Sequence, residues 1–164
     1  MDTADFTELL ERHAGLIHKI AYAYCRNATD REDVVQEIIV QLWRARDRYD
    51  ERYRHTTWIY RIALNVAISF YRRERRHRDR AQSLDEQQFI IESVEPSEDA
   101  QQLFASIDEL GALEKALVLL YLDGNDHAAI ADVLGISVSN VGTKLGRIKD
   151  TLRASLGARK GQAS

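Results

Sequence analysis

Apolar residues recur along this chain at intervals of three and four rather than two. Phe6, Leu9, Leu10, Leu16, Ile17, Ile20, Ala21 and Tyr24, with His13 among them, form such a row, the spacing that lays an apolar stripe along one face of a helix. The pattern predicts a core helix over residues 6–24. A second row follows in NATDREDVVQEIIVQLWRARDRY, where Val34, Val35, Ile38, Ile39 and Leu42 repeat at the same intervals and Asp30 stands where a capping side chain would start the helix. The other face of that helix holds Asp33, Gln36, Glu37 and Gln41.

YDERYRHTT has no apolar period and reads as a loop, with Thr56 or Thr57 placed to cap the next helix. That helix opens with WIYRIALNVAISFYRRERRHR. Trp58, Ile62, Val66 and Phe70 are spaced by four, with Ile59, Ala63 and Ala67 in the row beside them. Burying each large side chain is worth about 1.5–3 kcal/mol, so this face anchors the helix. Arg61, Asn65, Ser69 and Arg72 line the opposite side in steps of three or four, and Arg73, Arg75, Arg76, Arg78 and Arg80 continue the charge.

Residues 81–100 then hold six acids, no bases and the only proline, with Phe89, Ile90 and Ile91 as an apolar island. Residues 81–96 read as an acidic linker. Beyond it Ser97 is placed to cap a helix through Leu103, Ile107 and Leu110, with a break near Gly111, and ALEKALVLLYLDG predicts a further helix closed at Gly124 by a left-handed turn. Ile130, Ala131 and Leu134 line a short helix, Gly135 supplies a tight turn, Ile136 plugs the joint and Ser137 caps a second helix whose Val141, Leu145, Ile148 and Leu152 face inward. This is a helix-turn-helix layout. Its outward face carries Ser139, Asn140, Thr143, Lys144 and Arg147, hydrogen-bonding groups suited to base edges followed by cations suited to phosphates. Gly142 and Gly146 interrupt that helix at a cost of about 1 kcal/mol each relative to alanine; four apart, they share a face where a missing side chain lets backbone approach a phosphate. The expected fold is therefore all-α: two small helical domains, 1–80 and 97–160, joined by the linker.

Composition agrees with a soluble, cored protein: 164 residues, 45% hydrophobic, 30% charged, one proline. No apolar run approaches the roughly 20 residues that span a bilayer, and MDTADFTELLERH lacks a basic, then apolar, leader, so a cytoplasmic protein without membrane insertion is expected. The lone Cys25 sits among apolar neighbours and reads as a core residue. The net charge of −3 argues against a nucleic-acid partner only until it is divided. Nine arginines between Arg52 and Arg80 stand against two acids, and residues 126–164 carry six bases against three acids. Such density repels itself unless a polyanion neutralises it. Tyr49, Tyr53, His55, Trp58 and Tyr60 add rings on which unpaired bases stack at about 1–3 kcal/mol each. Trp58 has two uses, core packing or base stacking, and spacing does not choose between them.

With both basic units in view, the chain resembles the extracytoplasmic-function group of bacterial sigma factors, the promoter-specificity subunits of RNA polymerase. DREDVVQEIIVQLWR is similar to the region 2 helix that docks on the β′ clamp helices, WIYRIALNVAISFYRRERR to the helix that opens and reads the minus-10 element, and LEKALVLLYLDGNDHAAIADVLGISVSNVGTKLGRIKDTL to region 4, which reads the minus-35 element. The resemblance puts Asp33, Gln36, Glu37 and Gln41 on the polymerase-docking face; Trp58, Arg61, Asn65, Ser69, Arg72 and Arg73 on minus-10 DNA, with YDERYRHTT as the loop that receives a flipped base; and Ser139, Asn140, Thr143, Lys144 and Arg147 on minus-35 DNA. It implies core polymerase, including its β flap, promoter DNA and an anti-sigma factor as partners, with the acidic linker threading toward the RNA channel. Departures are Gly111 and Lys115 where the family has proline and arginine, Ala129 where glutamate is common, and the two glycines.

The rival binding class is a two-domain helix-turn-helix regulator that binds DNA without core polymerase, but neither a ligand pocket nor a phosphorylatable acidic cluster is evident for its sensor. An enzyme is not expected: there is no metal-ligand spacing, nucleophile triad or glycine-rich phosphate loop, and so no cofactor or small-molecule substrate is expected.

Overall fold

The computed structural model describes residues 1–80 and 97–162; the expected linker 81–96 lies outside them. The chain divides into two compact units, Met1–Phe89 and Ile90–Ser164, and all regular structure among the described residues is helical.

The first unit is three long helices, α1 (Thr3–Tyr24), α2 (Ala28–Ala45) and α3 (His55–Arg80), with a single 3-10 turn, Arg46–Arg48, after α2. Asp2 caps α1 by accepting a hydrogen bond from the Asp5 amide at 2.8 Å. Asn27, not Asp30, caps α2: its Oδ1 accepts from the Asp30 amide at 2.7 Å while its Nδ2 donates to Asp30 Oδ2 at 2.7 Å. The helix thus begins earlier than expected because the asparagine satisfies an orphan amide and Asp30, inside the first turn, bonds back to the cap. Likewise α3 starts at His55, ahead of Thr56 and Thr57, with Arg54 carbonyl accepting the first helical bond from the Trp58 amide.

The three helices pack on one another around Ile17, Ile20, Ala21, Ile38, Leu42, Ile59, Ala63 and Ala67, each at most 2% exposed. Three of those eight are alanines, which let helix backbones approach closely. The buried side of α3 is centred on Ile59, Ala63 and Ala67, with Trp58, Tyr60 and Leu64 beside them. Ile62, Val66 and Phe70 are only half-buried, so of the apolar face expected to anchor α3 the row of Ile59, Ala63 and Ala67 is the core and these three are its edge. Cys25 is buried at the end of α1.

The second unit comprises α4 (Glu98–Asp108), α5 (Ala112–Leu122), α6 (His127–Leu134) and α7 (Val138–Gln162). Gly124 (φ 83°) and Gly135 (φ 69°) supply the two left-handed turns, conformations that cost residues with a Cβ. Asp126 caps α6 through the Ala129 amide at 2.8 Å, and Ser137 Oγ caps α7 through the Asn140 amide at 3.0 Å. Leu117, Leu120, Ile130 and Val141 are fully enclosed, and α7 packs against α4, α5 and α6. Lys115 is buried, and its Nζ reaches exposed Asp108 at 3.3 Å.

Both tryptophans, Trp43 and Trp58, belong to the first unit, so intrinsic fluorescence reports it alone. Ile38→Ala removes a side chain of 0% exposure and is expected to lower the first unit's unfolding free energy by about 2–5 kcal/mol, read as a lower urea midpoint by tryptophan fluorescence.

Candidate nucleic-acid interface

Helix α2 presents Asp33, Gln36 and Glu37 exposed and Gln41 half-buried. Gln41 Nε2 donates to Glu37 Oε1 at 2.6 Å, one turn apart, which holds two of the polar side chains as a unit. On α3, Asn65, Ser69, Arg72 and Arg73 are exposed. The two helices enclose an open groove of about 650 Å³. Asp33, Glu37 and Gln41 form its α2 rim, Asn65, Ser69 and Arg73 its α3 rim, and Val34, Ala45, Ile62, Val66 and Phe70 its apolar lining. Residues that the sequence assigned to two different partners therefore line one cleft. Gln36 and Arg72 lie outside it. Nothing local distinguishes Ile62, Val66 and Phe70 from core residues; only the packing angle of α2 and α3 leaves them facing a groove.

At the start of α3 the rings form a cluster. Tyr49 lies 4.9 Å from His55 at an interplanar angle of 27°, and 5.1 Å from Trp58. The Tyr49 hydroxyl donates to the Tyr53 carbonyl at 2.6 Å. Burial, then the charges of Glu51 and Asp50, pushes the Tyr49 phenol up from its usual range. The Arg61 guanidinium sits 4.3 Å above the Tyr53 ring, a cation–π contact that places positive charge against the loop. Trp58 itself is 9% exposed. Of its two uses, core packing is the one the fold realises: its ring backs Tyr49 rather than offering a free stacking face. Tyr60 is buried as well. Beside the cluster, burial lowers the His13 imidazole, with the neighbouring charges of His55 and Arg12 adding to the effect.

In the second unit Ser139, Asn140, Thr143 and Arg147 are exposed on α7 and Lys144 is half-buried. Thr143 Oγ1 donates to the Ser139 carbonyl at 3.1 Å. Lys144 and Arg147 border a small cleft of about 110 Å³ with Leu113, Glu114 and Leu117 of α5, an acidic neighbour that the helical period of α7 gave no sign of. Gly142 and Gly146 differ: a Cβ at Gly142 would meet His127, whereas one at Gly146 would meet nothing within 4 Å. Among the described residues no three His, Cys, Asp or Glu side chains gather as a metal site, and no helix is long and apolar enough to cross a membrane.

Residues 9–77 match the Sigma-70 region 2 family and residues 100–152 match the Sigma-70, region 4 family. The RNA polymerase sigma factor CnrH of Cupriavidus metallidurans is 30% identical over 93% of this chain and 87% of its own length. The ECF RNA polymerase sigma factor SigW of Bacillus subtilis is 25% identical, over 94% and 90% respectively. Among solved structures, CnrH in complex with the cytosolic domain of CnrY superposes with a TM-score of 0.69 at 26% identity, covering 96% of this chain and 90% of that one. The sigma factor RpoE in complex with the anti-sigma factor NepR from Bartonella quintana gives 0.74 at 20% identity, over 93% and 97%, a likeness of fold.

The loop carries its own titration signature. Arg52 Nε and Nη2 hold the Asp50 carboxylate at 3.0 and 2.7 Å, the Arg52 amide adds a third bond, and the carboxyl is drawn from 3.8 down to about 2. A depressed carboxyl contributes its share of loop order fully above the unfolded value of 3.8, and that share is lost as pH falls toward 2. Carboxyl-carbon NMR should give an Asp50 midpoint near 2, returning toward 3.8 in Arg52→Ala; an unchanged midpoint would mean that the pair does not form in solution.

Proposed function

The chain belongs to the sigma-70 family, in its extracytoplasmic-function group, as an alternative sigma factor that directs promoter-specific transcription, and from that premise we propose how its faces divide the work. The α2 rim, Asp33, Glu37 and Gln41 with Gln36 beyond it, docks on the β′ clamp helices of core polymerase. The α3 rim, Asn65 and Ser69 with Arg61, Arg72 and Arg73, holds the minus-10 strand as the duplex opens. The single observation that carries this division is the shared groove, with an acidic and amide wall on α2 and a hydrogen-bonding, cationic wall on α3.

Opening a duplex costs about a few kcal/mol per unstacked step. Capture of a base by the Tyr49, Tyr53 and His55 rings offsets that cost, with Trp58 serving the site as the buried ring behind Tyr49. Ser139, Asn140 and Thr143 then read the minus-35 element while Lys144 and Arg147 hold its phosphates, and the second unit also meets the polymerase β flap. No catalytic step is assigned to the chain; it works in the cytoplasm as an adaptor for the polymerase. The capture of CnrH by CnrY and of RpoE by NepR supports an anti-sigma factor as the partner that holds this chain when it is idle.

Mixing the purified chain with core RNA polymerase should yield promoter-dependent transcripts. DNA retardation by the chain alone, without association with core, would replace this reading with that of a conventional regulator. Gln36→Ala with Glu37→Ala is expected to weaken core binding about tenfold or more, the range of one or two lost charge-assisted hydrogen bonds. Lys144→Ala with Arg147→Ala is expected to weaken upstream DNA binding and reduce its salt slope by about 2, one per lost phosphate contact.

A further inference from the structure

Helix α5 brings one acid to the cationic side of α7. Of its eleven residues only Glu114 and Lys115 are charged, and the two differ in surroundings. Lys115 is buried and its Nζ reaches Asp108 at 3.3 Å, while Glu114 is exposed on the rim of the small cleft between α5 and α7. The opposite rim carries Lys144 and Arg147. Leu117 and Ile148, both buried, line the same cleft. An apolar lining leaves less water between the charges than an open surface would, which strengthens the field they exert on one another.

Among the described residues no hydrogen bond or ion pair engages the side chains of Glu114, Lys144 and Arg147. The carboxylate therefore shares a cleft with the cations without closing on them. A cleft of about 110 Å³ keeps its walls within the screening length of about 10 Å at 0.1 M salt, so the negative charge is felt by whatever the cations bind. Glu114 has a local use as well: it sits in the first turn of α5, after Gly111, which supplies no side-chain cap, and a negative charge there favours the helix. An acid at position 112 would meet that need equally, outside the cleft. The helix dipole does not explain why the acid faces α7.

We propose that Glu114 limits the strength of upstream DNA binding: its carboxylate opposes the phosphate that Lys144 and Arg147 attract, and holds the grip of this chain on DNA below what those cations alone would give. Phosphate contacts are blind to base sequence. Opposing them restrains binding to DNA at large and leaves the choice of site to Ser139, Asn140 and Thr143. This role rests on the reading of α7 as the upstream DNA-binding helix.

The test uses the full chain and a random-sequence duplex, read by fluorescence anisotropy. Glu114→Gln should tighten binding about two- to fivefold, the range of one exposed charge interaction. Glu114→Lys should tighten it further, and both gains should shrink as added salt shortens the screening length. Tighter binding is a result that a weakened α5 or a partly unfolded chain does not imitate. Glu98→Gln, which removes an exposed acid of α4 outside the cleft, should leave affinity nearly unchanged. In a chain carrying Lys144→Ala and Arg147→Ala, binding should be weaker from the outset and Glu114→Gln should add little. Glu114→Gln binding as the wild type does, a gain matched by Glu98→Gln, or a gain that persists in full without Lys144 and Arg147 would each overturn the proposal and leave the upstream reading standing. If loss of Lys144 and Arg147 does not weaken binding, the upstream reading falls and the proposal with it.

Discussion

The close packing of α3 through Ile59, Ala63 and Ala67 is the constraint on which the first unit depends. These three positions are 0% exposed, and the two alanines let α3 lie near its neighbours without a large side chain to hold them off. Because α3 is fixed along that line, its edge residues Ile62, Val66 and Phe70 are turned toward α2 and become the lining of a groove. The same line holds a helix that ends in a dense run of arginines. Self-repulsion along such a run favours fraying, and the apolar anchorage upstream opposes it.

The second unit solves a different problem with local means. Its helices are short apart from α7, and their directions are set at two left-handed glycines and two side-chain caps. Gly135 and Ser137 together decide where α7 begins, and hence which of its faces is outward. The buried Val141, Leu145 and Ile148 then hold that orientation. A polar face made of short side chains is useful only on a helix whose rotation is settled, because a slip of one residue turns each side chain by about 100°.

Helical periodicity was sufficient for the all-α class and the helix-turn-helix, and the three quoted segments sufficed for the family. Those are properties of short stretches, and short stretches are visible along a chain. What spacing misjudged or left open was decided by pairs of elements. Asn27 displaced Asp30 as a cap because the asparagine and the aspartate bond to each other. Trp58, whose use spacing left open, is 9% exposed, with the Tyr49 ring, nine residues earlier, 5.1 Å away. The row beginning at Trp58 and the row beginning at Ile59 are equally apolar by spacing, and only the angle at which α2 and α3 meet made one the core and the other mainly a groove lining.

The sequence by itself determined that this chain is helical, that its charge is sorted into two basic blocks separated by acid, and which polar and charged side chains are the candidates for contact with DNA and polymerase. Those follow from residue type and interval. Tertiary structure alone decided that Asp33, Glu37 and Gln41 share a cleft with Asn65, Ser69 and Arg73, that Glu114 borders the cations of α7, and that one of two similar glycines seats a histidine while the other stays open. Each is a meeting of residues far apart in sequence. Intervals within one helix carry no information about the distance to another, which is set by how closely the packed side chains let two backbones approach.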